Sequence, residues 1–169
     1  MGDAIVSKLL VQSGSLSYFR EGIADERIPV DVQALGAMYL KLRGDGRAPA
    51  VANYLLQPAF FVPSRKTPAG TGPYSGYRPY FGAETPDLAW SEGTGEAQLA
   101  LTRLGVRYPA LDAGVKSLAN SFTASSTGPI GADRESNDLF GEYHTWPTSA
   151  AGSWLLLGSF GTSVPLFAQ

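Results

Sequence analysis

Cysteine is absent from this chain, which excludes disulfides, zinc–thiolate centres and cysteine nucleophiles. Histidine occurs once, at His144, so little supports a metal centre. No apolar run approaches the roughly 20 residues needed to span a bilayer, and Leu155-Leu156-Leu157 is far too short. A basic surplus is also lacking. Lys and Arg total 13 against 15 Asp and Glu, the net charge is −2, and the longest basic run is Arg65-Lys66. Neither nucleic acid nor an anionic membrane is an expected partner. The N-terminus has no basic stretch leading into an apolar one, so no signal peptide is expected. Met1-Gly2 opens like a myristoylation signal, but Val6 stands where Ser or Thr is required.

What remains is an ordinary globular composition, 44% apolar and 17% charged, and 169 residues suffice for one domain with a real core. The 20 glycines and 12 prolines are many for a helical protein and fall mostly in loops. Spacing predicts six helices. The first covers about 4–12, with Ile5/Leu9 and Val6/Leu10 on one side. Pro29 suits the start of the second, 30–43, and Gly44 its stop. The third, 47–60, carries Val51, Tyr54, Leu55 and Phe60, and Pro58 ends or kinks it. The fourth runs over 87–104 to Gly105. The fifth, 109–123, carries Leu111, Val115, Leu118 and Phe122, and the sixth, 148–159, is almost wholly apolar. Ser17-Tyr18-Phe19 reads as a short extended piece. Residues 61–86 and 124–146 read as long loops, the first turn-rich over Thr67–Pro73, and 165–169 as a docked or frayed tail.

Landmarks recur at a period near 58: Pro29 with Pro86, Trp90 with Thr148, Gly44 with Gly105. Such a period fits repeated helical hairpins. Small residues crowd the second, fourth and sixth helices (Gly36 and Ala37; Gly93, Gly95 and Ala97; Ala150, Ala151 and Gly152). Glycine costs a helix about 1 kcal/mol against alanine, so its repeated use points to helices packed on both sides. An all-α fold is expected, with helical hairpins in two layers and long loops on one rim.

Three runs carry a resemblance: Gly76-Tyr77-Arg78-Pro79-Tyr80, then Trp90-Ser91-Glu92-Gly93-Thr94 with Ala97, Ala100 and Leu104-Gly105, and Trp146-Pro147-Thr148-Ser149-Ala150-Ala151 before Trp154. With Asp31-Val32-Gln33-Ala34-Leu35, they look like bacterial proteins of the (α/α) toroid class, the six-hairpin glycosidase-like superfamily. The resemblance covers roughly residues 15–160 and implies a carbohydrate-active protein. A closed toroid of that class has twelve helices, and six are predicted here. The expectation is therefore a partial toroid: an open half-ring, a fragment, or a protomer that closes its cavity as a homo-oligomer.

Parallel second, fourth and sixth helices would place Asp31, Trp90, Glu92, His144 and Trp146 on one face, where both long loops end. Aromatic faces stack on sugar C–H surfaces, and carboxylates and Arg take hydroxyls, so an oligosaccharide or polysaccharide is the expected partner. Glycoside hydrolysis generally needs two carboxylates. Glu92 and Asp31 are the catalytic candidates, and Trp90, Tyr77, Arg78, Tyr80, His144 and Trp146 the substrate-binding ones. Each has a plainer reading. Glu92 suits a helix dipole and Asp31 a helix cap. Glu96, one turn beyond Glu92, is either on its face or a solvated carboxylate. His144 is either a hydrogen-bonded helix-entry residue or, with Tyr143, a proton-transfer pair at a uronic acid whose carboxylate Arg78 neutralises. Asp133, Glu135, Asn137 and Asp138 lack the EF-hand spacing and read as a solvated loop. Gly70-Thr71-Gly72 lacks the lysine of a phosphate loop. No cofactor or metal is expected. The alternative to an enzyme is a non-catalytic carbohydrate-binding or assembly module.

Overall fold

The computed structural model describes residues 2–66, 72–82, 84–125, 128–138 and 141–160. In chain order these form α1 (Gly2–Leu9), β1 (Leu10–Ser13), β2 (Leu16–Phe19), β3 (Ile28–Pro29), α2 (Val30–Leu42), α3 (Ala48–Tyr54) and a 3₁₀ turn at Pro58–Phe60. Next come β4 (Phe61–Arg65), β5 (Tyr74–Tyr77), β6 (Tyr80–Phe81), α4 (Ser91–Leu104), α5 (Pro109–Ser125), β7 (Ser136–Asp138), β8 (Gly141–Tyr143) and α6 (Ser149–Phe160). The predicted turn over 67–71, the Phe122 side chain and the tail at 165–169 lie outside the described residues.

The chain is not all-α. Its described residues are 48% helical and 22% strand, a mixed fold in which helices are joined by small antiparallel sheets. The stretch 61–86, predicted as loop, contains β4, β5 and β6, and 124–146 contains β7 and β8. The physical reason is local. Each strand is two to five residues long and pairs with one partner only, β1 with β2, β3 with β6, β4 with β5 and β7 with β8. Tyr74 to Tyr77 are all buried, so β5 shows no in–out alternation for a period-2 reading to find.

α1 ends at Leu9, short of the predicted 4–12, because Leu10–Ser13 pair with β2 as β1. The other helices lie close to their predicted positions, for reasons visible in their ends. Gly44 and Gly105 follow α2 and α4 with φ of +66° and +75°. Beyond each, an N–H turns back to the last turn: Asp45 to the Leu40 carbonyl (2.9 Å) and Val106 to that of Leu101 (2.9 Å). This is the glycine-dependent helix stop. α3 ends sooner than expected, at Tyr54, and the chain re-enters as the 3₁₀ turn at Pro58. Pro58 has no N–H to continue the helix.

α4 is the hub. It packs against α2 and α6, and also meets α3, α5 and β5. Its glycines explain how two helices come so near. A Cβ on Gly95 would lie 2.4 Å from the Trp154 carbonyl carbon, and one on Gly93 would meet the Trp90 ring and Val30, both at 2.5 Å. The main core gathers around α4 from Val30, Phe60, Tyr77, Leu99, Leu118 and Leu155. A smaller cluster, Phe19, Ala37, Leu40 and Val51, lies where β2 meets α2 and α3. Buried Gln33 fastens that corner. Its amide accepts from Phe19 N–H (2.7 Å) and donates to the carbonyls of Phe19 (2.7 Å) and Pro29 (2.9 Å).

A seam of backbone hydrogen bonds crosses the N-terminal ends of α2, α4 and α6. β3 pairs with β6, and Val30 N–H donates to Pro79 (2.8 Å). Trp90 N–H donates to Tyr77 (2.8 Å), and Ser91 N–H to Gly131 (2.9 Å). Gly131 N–H reaches Trp146 (3.0 Å), and Ala132 N–H reaches His144 (2.8 Å). Segments far apart in sequence thus become neighbours at one end of the helices.

Candidate functional site

Three carboxylates lie near enough to feel one another's charge where α2 begins against the first turns of α4. Asp31 stands in the first turn of α2, Glu92 in the first turn of α4, and Glu96 one turn further on. Residues four apart share a helix face, and the glycine at 93 and alanine at 97 let α4 approach its neighbours on that side. Burial raises the Asp31 pKa, although the N–H groups of Val32 and of Asp31 itself oppose the shift. Burial likewise raises Glu92, with the Asp31 charge adding to it, while a hydrogen bond from the Trp154 side chain on α6 pulls the other way. Glu96 is pushed up to about 8, first by burial and then by the Asp31 and Glu92 charges. It is only 4% exposed, and its Oε2 has no hydrogen-bond partner. No basic side chain figures among the influences on these three groups.

Like charges this near titrate as a unit. Glu96, pushed up to about 8, retains a proton at neutral pH, and Asp31 and Glu92 are raised beside it. Trp90 lies over Gly93 beside Val30, at the edge of this group, and meets Tyr143 edge-on at 6.0 Å. Trp154 closes it from α6.

The remaining candidates lie elsewhere. Tyr77 is wholly buried, its hydroxyl donating to the Leu55 carbonyl (2.6 Å), and burial raises its pKa. Tyr80 is 6% exposed and belongs to the β3–β6 pair. Arg78 is spent on structure: it donates to the Phe61 carbonyl (2.7 Å) and pairs with Asp87 (2.8 Å). Arg65 holds the other Asp87 oxygen (2.5 Å) and buried Asp133 (3.3 Å). Burial pushes Asp87 up, but hydrogen bonds from the two arginines outweigh it and leave its pKa lowered. Asp133 also accepts from Ala89 N–H (2.8 Å), so it is a buried anchor for the approach to α4 and not part of a solvated loop.

His144 and Trp146 form a second group beside the β7–β8 hairpin. Their rings stack at 3.5 Å, and Trp146 is 56% exposed. His144 Nδ1 lies 2.8 Å from Glu135 and Nε2 lies 3.4 Å from Glu142. Glu135 also accepts from the Thr145 hydroxyl and N–H (both 2.6 Å), which with His144 brings its pKa down to about 2. A shallow cleft of about 340 Å³ lies between these residues and Asn137. Among the described residues, no three or more His, Asp or Glu side chains are arranged to hold a metal ion.

Two residues were under-read from sequence. Glu96 offered a signal, its four-residue offset from Glu92, but its burial depends on α2 and α6. Trp154 lay within an apolar run that reads as core. No protein-family model matches the chain, and neither the curated proteins nor the solved structures yield a match.

Proposed function

We propose that the Asp31–Glu92–Glu96 group is a carbohydrate site and that the chain hydrolyses a glycosidic bond there. The observation that supports this reading is the gathering of three desolvated carboxylates beside two indoles, with a proton kept among them at neutral pH. A glycosidase needs one carboxyl protonated and another ionised at the same pH. In this reading Glu92, partly exposed at the first turn of α4, relays the proton that Glu96 holds to the glycosidic oxygen as the C–O bond breaks. Asp31 takes a proton from the water that adds to the anomeric carbon. The proton that Asp31 gains then returns to buried Glu96, which restores the starting state. Trp90 offers its ring face to the sugar.

One observation favours a non-catalytic binding module: the Asp31 carboxylate accepts from N–H groups of its own turn, as a helix-end residue does. Turnover separates the two. The Glu92→Gln variant is expected to lower kcat on a cleaved glycan by roughly a hundredfold or more, while its melting temperature and glycan affinity stay near wild type. Equal kcat in the variant would remove the catalytic role. Glycan binding by a wild type that turns over none of a broad panel would leave the binding module.

A further inference from the structure

Resting on that carbohydrate reading, we propose that the Asp31–Glu92–Glu96 site takes a cationic sugar, an oligosaccharide of amino sugars carrying free ammonium groups, in preference to neutral or uronic-acid glycans. The argument begins with what surrounds the three carboxylates. From α2 comes Asp31, from α4 Glu92 and Glu96, and from α6 the Trp154 side chain, which meets Glu92. No lysine or arginine contributes to the balance of any of the three. Arg78 and Arg65 lie elsewhere and are committed, Arg78 to Asp87 and two carbonyls, Arg65 to Asp87 and Asp133. A uronic acid placed here would add a fourth carboxylate with no cation to meet it.

The site also shows an unmet demand. Glu96 is 4% exposed and its Oε2 has no partner, the kind of buried polar atom that normally finds one. An ammonium group supplies three donors and one positive charge, which answers both the empty hydrogen-bond position and the crowding of like charge. The Trp90 and Trp154 indoles suit the same ligand, since a ring face attracts a cation and also stacks on a sugar. A metal ion would answer the charge as well, but these carboxylates are not arranged as a metal-holding set.

An ammonium drawn to this group favours its ionised form, so binding must expel the proton that Glu96 holds. Calorimetric titration of the full chain at about pH 6 tests this, in two buffers of different ionisation enthalpy. The probes are a glucosamine hexasaccharide, its fully N-acetylated counterpart and a galacturonate oligomer. The glucosamine probe is expected to bind roughly tenfold or more tighter than the acetylated one and to release protons, and Glu96→Gln to reduce that release. Glu142→Gln, in the separate His144 group, is expected to change neither quantity. Equal affinity for the acetylated probe, or preference for galacturonate, overturns the cationic specificity while leaving the carbohydrate reading intact. Preferential glucosamine binding with no proton release, or with release unchanged in Glu96→Gln, places the sugar elsewhere and also overturns it. Failure of every saccharide to bind removes both.

Discussion

Glu96 concentrates the chemistry of this chain in one side chain. Its folded pKa of about 8 exceeds the ordinary 4.5, so the folded state holds a proton that the unfolded state gives up. The resulting stability is fully present below pH 4.5 and is lost as the pH rises through about 8. The loss is on the order of a few kcal/mol for a shift of that size. Glu96→Gln removes the titration while keeping the shape. Urea unfolding at pH 5 and pH 9 is therefore expected to show a marked fall for wild type and a much smaller one for the variant, which becomes the more stable of the two at pH 9. Equal falls would mean that Glu96 is ionised throughout. Sequence placed Glu96 one turn from Glu92 and left its environment undecided, because burial at this position comes from helices more than 50 residues away on either side.

At the scale of elements, glycine decides how closely helices approach. Gly95 faces the Trp154 backbone, which cannot swing aside, so a methyl group there has to separate α4 from α6. Gly95→Ala is expected to destabilise by about 1–3 kcal/mol despite the better helix propensity of alanine. Gly152 in α6 is the contrast, because a Cβ there meets only Pro129 at 3.6 Å, an ordinary contact. Gly152→Ala is expected to be neutral or stabilising by up to about 1 kcal/mol, and urea midpoints of the two variants check the pair. The crowding was legible as repeated small residues in three helices, and so were the glycine stops. Of the strands, β2 was legible as the extended piece at Ser17-Tyr18-Phe19, and the others were not. β3 and β6 are two residues each and owe their existence to one another, since Ile28 and Phe81 pair across 53 positions. Arg78 was misleading for a similar reason: its charge is readable, but Asp87 and two carbonyls claim it only after folding.

For the whole molecule, two populations of carboxylates pull in opposite directions. Asp25, Asp45 and Glu135 are held near a pKa of 2 by hydrogen bonds from Arg27, Arg47 and Thr145, so their contributions are lost as the pH falls through that range. Asp31, Glu92 and Glu96 are raised, so theirs are lost as the pH rises. The melting temperature is expected to peak at about pH 4–5, below neutrality, in a scan by circular dichroism; a peak at pH 7 or above would contradict the raised group.

The seam across the helix N-termini carries a consequence for the order of assembly. Its rungs join residue 29 to 80, 90 to 132 and 130 to 147, each closing a long stretch of chain in exchange for one or two hydrogen bonds. Loop closure of that kind is a late and reluctant event, whereas α4 and α5 form from contacts between near neighbours. The end of the molecule that gathers the carboxylates is thus its last part to close and its first to open. Amide hydrogens of Val30, Trp90 and Ala132 are expected to exchange with solvent well before those of Leu99 and Leu101 in the middle of α4.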